Sequence, residues 1–494
     1  MLLHYSPKGC NLALGRSLVL CNQMLFNSLH FILLFFPVAV TGYYLLPHRV
    51  RWLWLLLLSA YFYMAFVPYY ILILAVTILV DYFAGLVISK KSGAERRMWL
   101  MLSIVANVSF LAFFKYFAFL RENLLQIGRL AGHDPAIPAL SIVLPIGLSF
   151  HTFQSMSYTI EVYRGNQQPE RNLGIFALYV LFFPQLVAGP IERPQNLLHQ
   201  FREKHHFDYY GVTSGMKLIV WGLFQKMVIA DRLAVTVDRI YAHPNEFGGL
   251  TLALATVLFA FQIFCDFAGY SDVAIGTAQV LGFKLMTNFR QPYLARSVAE
   301  FWKRWHISLS TWFRDYLYLP LGGNRNGRWR HIVNVLIVFA VSGLWHGADW
   351  KFVIWGALNG VFVVMAGLRP PGSKEEARRE APVLVRRIAT FTLVCLTWVF
   401  FRAGSVGEAF NIIRRLLPLR PDDVVASIGK APLIIALGLV GFAMLMHVVR
   451  ERYKVRELIS RQPAWLRWSV YTAALTCILL FGEFHSRDFI YFQF

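Results

Sequence analysis

Residues 261–283 read FQIFCDFAGYSDVAIGTAQVLGF, the second half of an apolar stretch that begins near residue 250. Two aspartates, Asp266 and Asp272, interrupt it. What the stretch is depends on its surroundings, and those are equally oily. Apolar runs of about 20 residues recur from one end of the chain to the other, the length a helix needs to cross one hydrocarbon core. Of 494 residues 57% are hydrophobic and only 15% charged, and the mean hydropathy of +0.50 lies far from the balance of a soluble domain. The chain therefore reads as a multi-pass membrane protein. Bare backbone polar groups cannot sit in lipid, so each spanning run must be helical, and 22 tyrosines and 14 tryptophans can furnish interfacial belts.

The expected fold is all-α, a transmembrane bundle of about 11 to 13 helices. The predicted spans are 26–46, 52–68, 69–88, 98–118, 140–160, 173–190, 212–230, 250–282, 333–348, 350–368, 386–401, 432–449 and 467–482. A carboxylate at the bilayer centre costs about 2.5–3.5 kcal/mol, so Asp266 and Asp272 must each face a partner or a water-filled space. The plainer reading is structural, an aspartate bonding exposed backbone at a helix break near Gly269. Pro145-Ile-Gly147, Pro184 and Gly189-Pro190 fall inside or beside apolar runs and point to broken or re-entrant helices. Irregular backbone at that depth needs shelter, so a polar cavity inside the bundle is expected. Residues 191–211, IERPQNLLHQFREKHHFDYYG, read as an amphipathic interfacial helix.

The net charge of +21 is carried largely by short links such as SKKSGAERR (89–97), RPPGSKEEARRE (369–380) and RERYKVRELISR (450–461). That is the pattern of cytoplasmic loops under the positive-inside rule, and without an aromatic-basic platform in a soluble domain it excludes nucleic-acid binding. Five cysteines, Cys10, Cys21, Cys265, Cys395 and Cys477, lack zinc or disulfide spacing. Residues 1–23 make a poor signal peptide and fall outside the regular pattern, which starts at Met24. They read as an extension to a single domain over 24–494, with translation expected to start at Met24.

Two segments carry candidate chemistry. In AEFWKRWHISLSTWFRDYLYLPLGGNR (299–325), Trp302, Trp305, Leu309, Trp312 and Tyr316 recur at helical spacing, while Lys303, His306, Ser310 and Arg314 fall within an arc of about 80° on the other side. Such a stripe suits either the wet side of a surface helix or the polar wall of a tunnel. In SGLWHGADW (342–350), His346 lies among Ser342, Gly343 and Gly347, small residues that let a backbone or a substrate approach closely. A buried imidazole can simply be satisfied by one donor and one acceptor. Two histidines without acids or cysteines at ligand spacing suit proton transfer better than a metal, and no G-x-S-x-G elbow is present.

FWKRWHISLSTWFRDYLYLPLGGNR followed by SGLWHGADWKFVIWGALNG resembles the paired histidine motifs of the membrane-bound O-acyltransferases, in their bacterial alginate O-acetylation branch. PIGLSFHTFQSMSYTIEVYRG (145–165), FFPQLVAGPIERP, GYSDVAIGTAQVLGFKLMTNFRQPYL (269–294) and the ending DFIYFQF (488–494) are similar to the same branch, in the same order. The resemblance implies a ring of helices around a central tunnel. It implies that His346 is the active-site histidine and His306 the second position, with Lys303, Ser310, Arg314 and Trp345 as substrate-binding candidates. It further implies an enzyme of the bacterial inner membrane, with no bound cofactor or metal. That enzyme would pass acetyl groups from a cytoplasmic thioester, most simply acetyl-CoA, toward an exported polysaccharide such as alginate, with a periplasmic acetyltransferase as protein partner. The donor's phosphates are expected at basic links such as 323–331. Two alternatives remain open: D-alanyl transfer to teichoic acid, and a non-enzymatic polysaccharide or lipid transporter.

Overall fold

The computed structural model describes residues 24–133, 136–140, 142, 144–187, 189–367, 381–416, 422–484 and 489–490. The expectations for residues 1–23 and 369–380, and for most of the ending 488–494, lie outside the described residues. Counting the main α-helices in chain order, α1 is Phe31–Leu45, α2 His48–Met64, α3 Tyr70–Lys90, α4 Gly93–Leu130, α5 Leu148–Arg164 and α6 Leu173–Leu181. They are followed by α7 Tyr209–Leu223, α8 Asp231–Ala242, α9 Gly249–Val280, α10 Val298–Arg304, α11 Ile307–Phe313 and α12 Gly327–His346. The last are α13 Trp350–Gly367, α14 Val383–Arg402, α15 Val406–Leu416, α16 Lys430–Arg452 and α17 Ala464–Phe481. Among the described residues there is no strand.

Helix lies in every predicted span, and seven helices (α3, α4, α9, α13, α14, α16 and α17) are long and apolar enough to cross a bilayer. The protein is a multi-pass membrane protein. Others are cut short where the proline and glycine signals stood. Gly147 takes a left-handed conformation (φ 74°) at the start of α5, and α6 stops at Phe182, after which the chain makes only the short turn Phe183–Leu186.

The opening stretch decides the packing, but not through a break. The helix α9 runs unbroken past Gly269, which is instead a point of close approach. A Cβ on Gly222 would stand 2.5 Å from the Gly269 carbonyl oxygen, and one on Gly276 would stand 2.7 Å from that of Gly215. Backbone therefore meets backbone where α7 crosses α9, as small residues allow in membranes. With its own backbone groups satisfied, the helix leaves the aspartates to partners from other parts of the chain. Asp266 pairs with Lys226 at 2.6 Å and accepts from the Ile490 N–H at 2.8 Å, while Lys226 also binds Asp231 at 2.8 Å. Asp272 accepts from Gln225 at 3.0 Å and lies 3.7 Å from Arg450.

The interfacial helix expected over 191–211 is absent. Two short turns, Pro194–Leu197 and His199–Arg202, take its place, and Ile191, Glu192, Leu197, Leu198 and Phe201 are buried. Glu192 explains the inward turn, because its carboxylate accepts from the Met286 N–H and holds the link against the 283–291 segment.

Candidate active site

His346 is the last residue of α12, at the turn of a tight hairpin with α13. The hairpin is tight because Gly343 and Gly356 leave no side chain at the crossing: a Cβ on Gly343 would collide with the Phe352 carbonyl, and one on Gly356 with that of Phe339. The carbonyls left open at the end of α12 are satisfied from α4, whose turn Ala112–Tyr116 is π-helical. Lys115 Nζ donates to the carbonyls of Trp345 (2.7 Å) and His346 (3.1 Å), and Tyr116 donates to that of Leu344 (3.0 Å). A cation at a helix C-terminus also complements the helix dipole. The His346 ring stands edge-on to Trp355 at 4.9 Å, to Trp345 at 5.0 Å and to Phe401 at 5.7 Å.

His306 is placed by backbone rather than by a helix. Its φ of 42° and ψ of 55° put it in the left-handed region, between the end of α10 and the start of α11. The 288–291 segment holds it there. Ile307 N–H donates to the Asn288 carbonyl (2.9 Å) and Arg290 N–H to that of Arg304 (2.9 Å). Asn288 Oδ1 accepts from the Ser308 N–H (3.3 Å) and hydroxyl (3.0 Å) and lies 3.2 Å from His306 Nδ1. Because a backbone N–H can only donate, the Ser308 contact fixes Oδ1 as an acceptor. His306 Nδ1 therefore carries the proton, and Nε2 is the ring's acceptor.

The structure brings together His346, His306 and Trp345. The Trp345 ring lies between the imidazoles, 5.0 Å from His346 and 6.2 Å from His306, and Phe150 of α5 touches both Trp345 (5.4 Å) and His306 (6.3 Å). His346 is 3% exposed and His306 0%. Aromatic rings close around the pair, so the passage implied by the resemblance is shut at the histidines in this conformation.

Three expected substrate-binding residues are not at this centre. The stripe of Lys303, His306, Ser310 and Arg314 required one continuous helix, and the left-handed turn at His306 divides it. Lys303 and Arg314 point to the surface, Arg314 pairs with Asp315 (2.8 Å), and the Ser310 hydroxyl donates to the Trp305 carbonyl (3.2 Å). Sequence reasoning missed Lys115, Tyr116 and Asn288. For Lys115 the signal was available, a lone cation in an apolar run; for Asn288 there was none.

The fold is that of an integral-membrane protein with a buried imidazole pair, and comparison with known proteins gives its class. The family model for the membrane-bound O-acyltransferases matches residues 104–383, and the chain belongs to that family of O-acyltransferases. It is 36% identical over 444 residues to the probable alginate O-acetylase AlgI of Azotobacter vinelandii, covering 89% of this chain and 86% of the relative. It is 34% identical to the peptidoglycan O-acetyltransferase of Helicobacter pylori over 80% of each chain. A more distant match, at 30% identity over 48% of this chain and 60% of the relative, is the teichoic acid D-alanyltransferase of Streptococcus thermophilus.

Proposed function

We propose that this O-acyltransferase moves an acetyl group from a cytoplasmic thioester, most simply acetyl-CoA, across the bacterial inner membrane toward hydroxyls of an exported polysaccharide, alginate or a similar polymer. The observation that carries this reading is the convergence of His346, Trp345 and His306, residues 40 positions apart in the chain, at one buried point. His346 is the general base: it takes the hydroxyl proton as oxygen attacks the thioester carbonyl and returns it to the sulfur as the C–S bond breaks and the thiol leaves, a role worth about 10²–10⁴ in rate. His306, protonated at Nδ1 toward Asn288, offers Nε2 as an acceptor, which suits orienting the acceptor molecule through a second donor group beside the reacting hydroxyl better than donating to an oxyanion. Lys115, donating to the carbonyls of Trp345 and His346, fixes the end of α12 and with it the position of the His346 imidazole. The acetyl group reaches the polymer by relay through a periplasmic acetyltransferase, which takes it from the ester formed here. Acetyl is favoured over D-alanyl as the cargo because the acetylating relatives match most of the chain and the D-alanylating one about half.

The test is His346→Ala in a strain lacking its own copy, with polymer acetylation read by NMR and protein level by immunoblot. Acetylation is expected to fall by about 10²-fold or more at an unchanged protein level. Normal acetylation would overturn the assignment and favour a transporter.

A further inference from the structure

The mechanism so far gives no part to α16. Most of this helix faces outward, and of its 23 residues only Ala436, Ala443 and His447 are buried. Three of its polar side chains, His447, Arg450 and Glu451, stand three and four residues apart at its end and so share one face. Arg450 lies 3.7 Å from Asp272 of α9, with its guanidinium over the Trp221 ring at 5.7 Å, which fixes this end of α16 to the bundle. The other two reach the pair of segments that holds His306.

A carboxylate in the last turn of a helix opposes the helix dipole, so Glu451 needs a cation there. It has Arg304, the last residue of α10. Arg304 Nη1 donates to both oxygens of Glu451 (3.1 and 3.0 Å) and Nη2 to one of them (3.1 Å), while Nε donates to Glu300 (3.0 Å). Such a fork-to-carboxylate pair fixes orientation as well as distance. The carbonyl of the same residue accepts from the Arg290 N–H at 2.9 Å. Arg304, two residues before His306, is thus held by α16 through its side chain and by the 288–291 segment through its backbone.

His447 reaches the same place through rings. Its Nδ1 donates to the Ala443 carbonyl (3.0 Å), which sets the ring's orientation. The imidazole stacks on Tyr293 at 5.8 Å and 15° and lies 4.6 Å from Phe264. Those two rings each stand 6.2 Å from Trp305, the neighbour of His306, and Trp305 in turn lies 5.1 Å from Phe289, the neighbour of Asn288. A ring removed from this close-packed set leaves the others free to shift.

We propose that the end of α16 sets the His306 imidazole from outside the site: Glu451, acting through Arg304, and His447, acting through Tyr293 and Trp305, are positioning residues for the transfer. The proposal rests on the acyl-transfer reading above in taking His306 as part of its site. Both non-glycine residues with positive φ, Gln291 and His306, lie in the two segments gripped in this way. Asn288 holds that strained pair from within, and α16 braces it from the opposite side.

The test uses the full-length chain in a strain lacking its own copy, with the rate of polymer acetylation read at matched protein level. Arg304→Ala and Glu451→Ala are each expected to lower that rate about tenfold, and the double variant no further than either, because all three remove one contact. His447→Ala is expected to lower it by a similar factor, and His447→Phe, which keeps a ring in the stack, to recover most of it. A second readout separates positioning from mere folding. In detergent-solubilised protein carrying ¹³C-labelled histidine, the ring signal of His306, assigned by its loss in His306→Ala, is expected to shift in Glu451→Ala and in His447→Ala while the melting temperature stays near the parent's. A parental rate in Glu451→Ala, an unmoved His306 signal, or a loss of rate that follows a fallen melting temperature overturns the proposal. A His447→Phe variant as slow as His447→Ala overturns the route through the rings. The two readings fail separately: an enzyme that needs His346 but not Glu451 defeats only this proposal, whereas a His306 signal that answers to Glu451 in an enzyme indifferent to His346→Ala defeats only the acyl-transfer assignment.

Discussion

At the scale of single residues, the telling fact is that His306 occupies a conformation a histidine adopts reluctantly. Among the described residues only Gln291 and His306 are non-glycines with positive φ, and both lie in the two segments that pair with each other, 288–291 and 304–307. Left-handed backbone costs a β-carbon about 1–2 kcal/mol, so the surrounding hydrogen bonds must over-determine it. Asn288 supplies most of them. Asn288→Ala is expected to lower transfer by about 10²-fold through misplacement of the imidazole, while protein level stays near normal and Asn288→Asp, which keeps the acceptor, recovers most of the rate. Acetylation measured at matched protein levels decides this; equal activity in all three would remove Asn288 from the site. His346 was readable as a candidate from Gly343, Gly347 and its apolar flanks. The partner that orients His306 was not readable, because nothing in the spacing of residues 288 and 306 announces a hydrogen bond.

At the scale of elements, periodicity was a sound guide to where helix forms and a poor one to where it stops. Trp302, Trp305, Leu309, Trp312 and Tyr316 fit one helix, yet the chain makes α10, a left-handed turn and α11. Helical periodicity survives such a turn when the rings on both sides pack into one aromatic interior. Caps are more local and easier to test. Asp422 accepts from the N–H groups of Gly248 (3.1 Å), Leu250 (3.1 Å) and Thr251 (3.2 Å), closing the start of α9 from a distant part of the chain. Burial, the largest single influence, pushes its carboxyl up, and the hydrogen-bond donors together outweigh it and hold the carboxyl below the usual carboxylate range. A lowered pKa means the cap stabilises fully above the ordinary carboxylate range and is lost as the pH falls through the lowered value. Asp422→Ala is expected to cost about 1 kcal/mol near neutrality, with the gap to the parent closing in strong acid. Thermal unfolding in detergent across pH measures it, and a constant gap at all pH would refute the capping account.

At the scale of the whole molecule, charges inside the bundle tie distant helices together. Lys226, Asp231 and Asp266 are all buried, and Asp266 also holds the Ile490 N–H near the end of the chain. Lys226→Met leaves two carboxylates without their cation and is expected to cost about 3–5 kcal/mol, seen as loss of membrane-inserted protein. Adding Asp231→Asn and Asp266→Asn is expected to restore much of it, since neutral amides need no counter-charge. If the single variant melts like the parent, the cluster does not hold the bundle.

The sequence by itself determined the all-helical membrane architecture and singled out His306 and His346 as candidates, because hydropathy and short motifs are local properties that lipid and chemistry read directly. Only the tertiary structure decided that Gly269 is a crossing point and not a break, that the polar stripe is divided at His306, and that Lys115 and Asn288 serve the histidines. Each of those depends on which backbone atoms from remote segments meet, and a helix whose own hydrogen bonds are complete carries no mark of the neighbour it will touch.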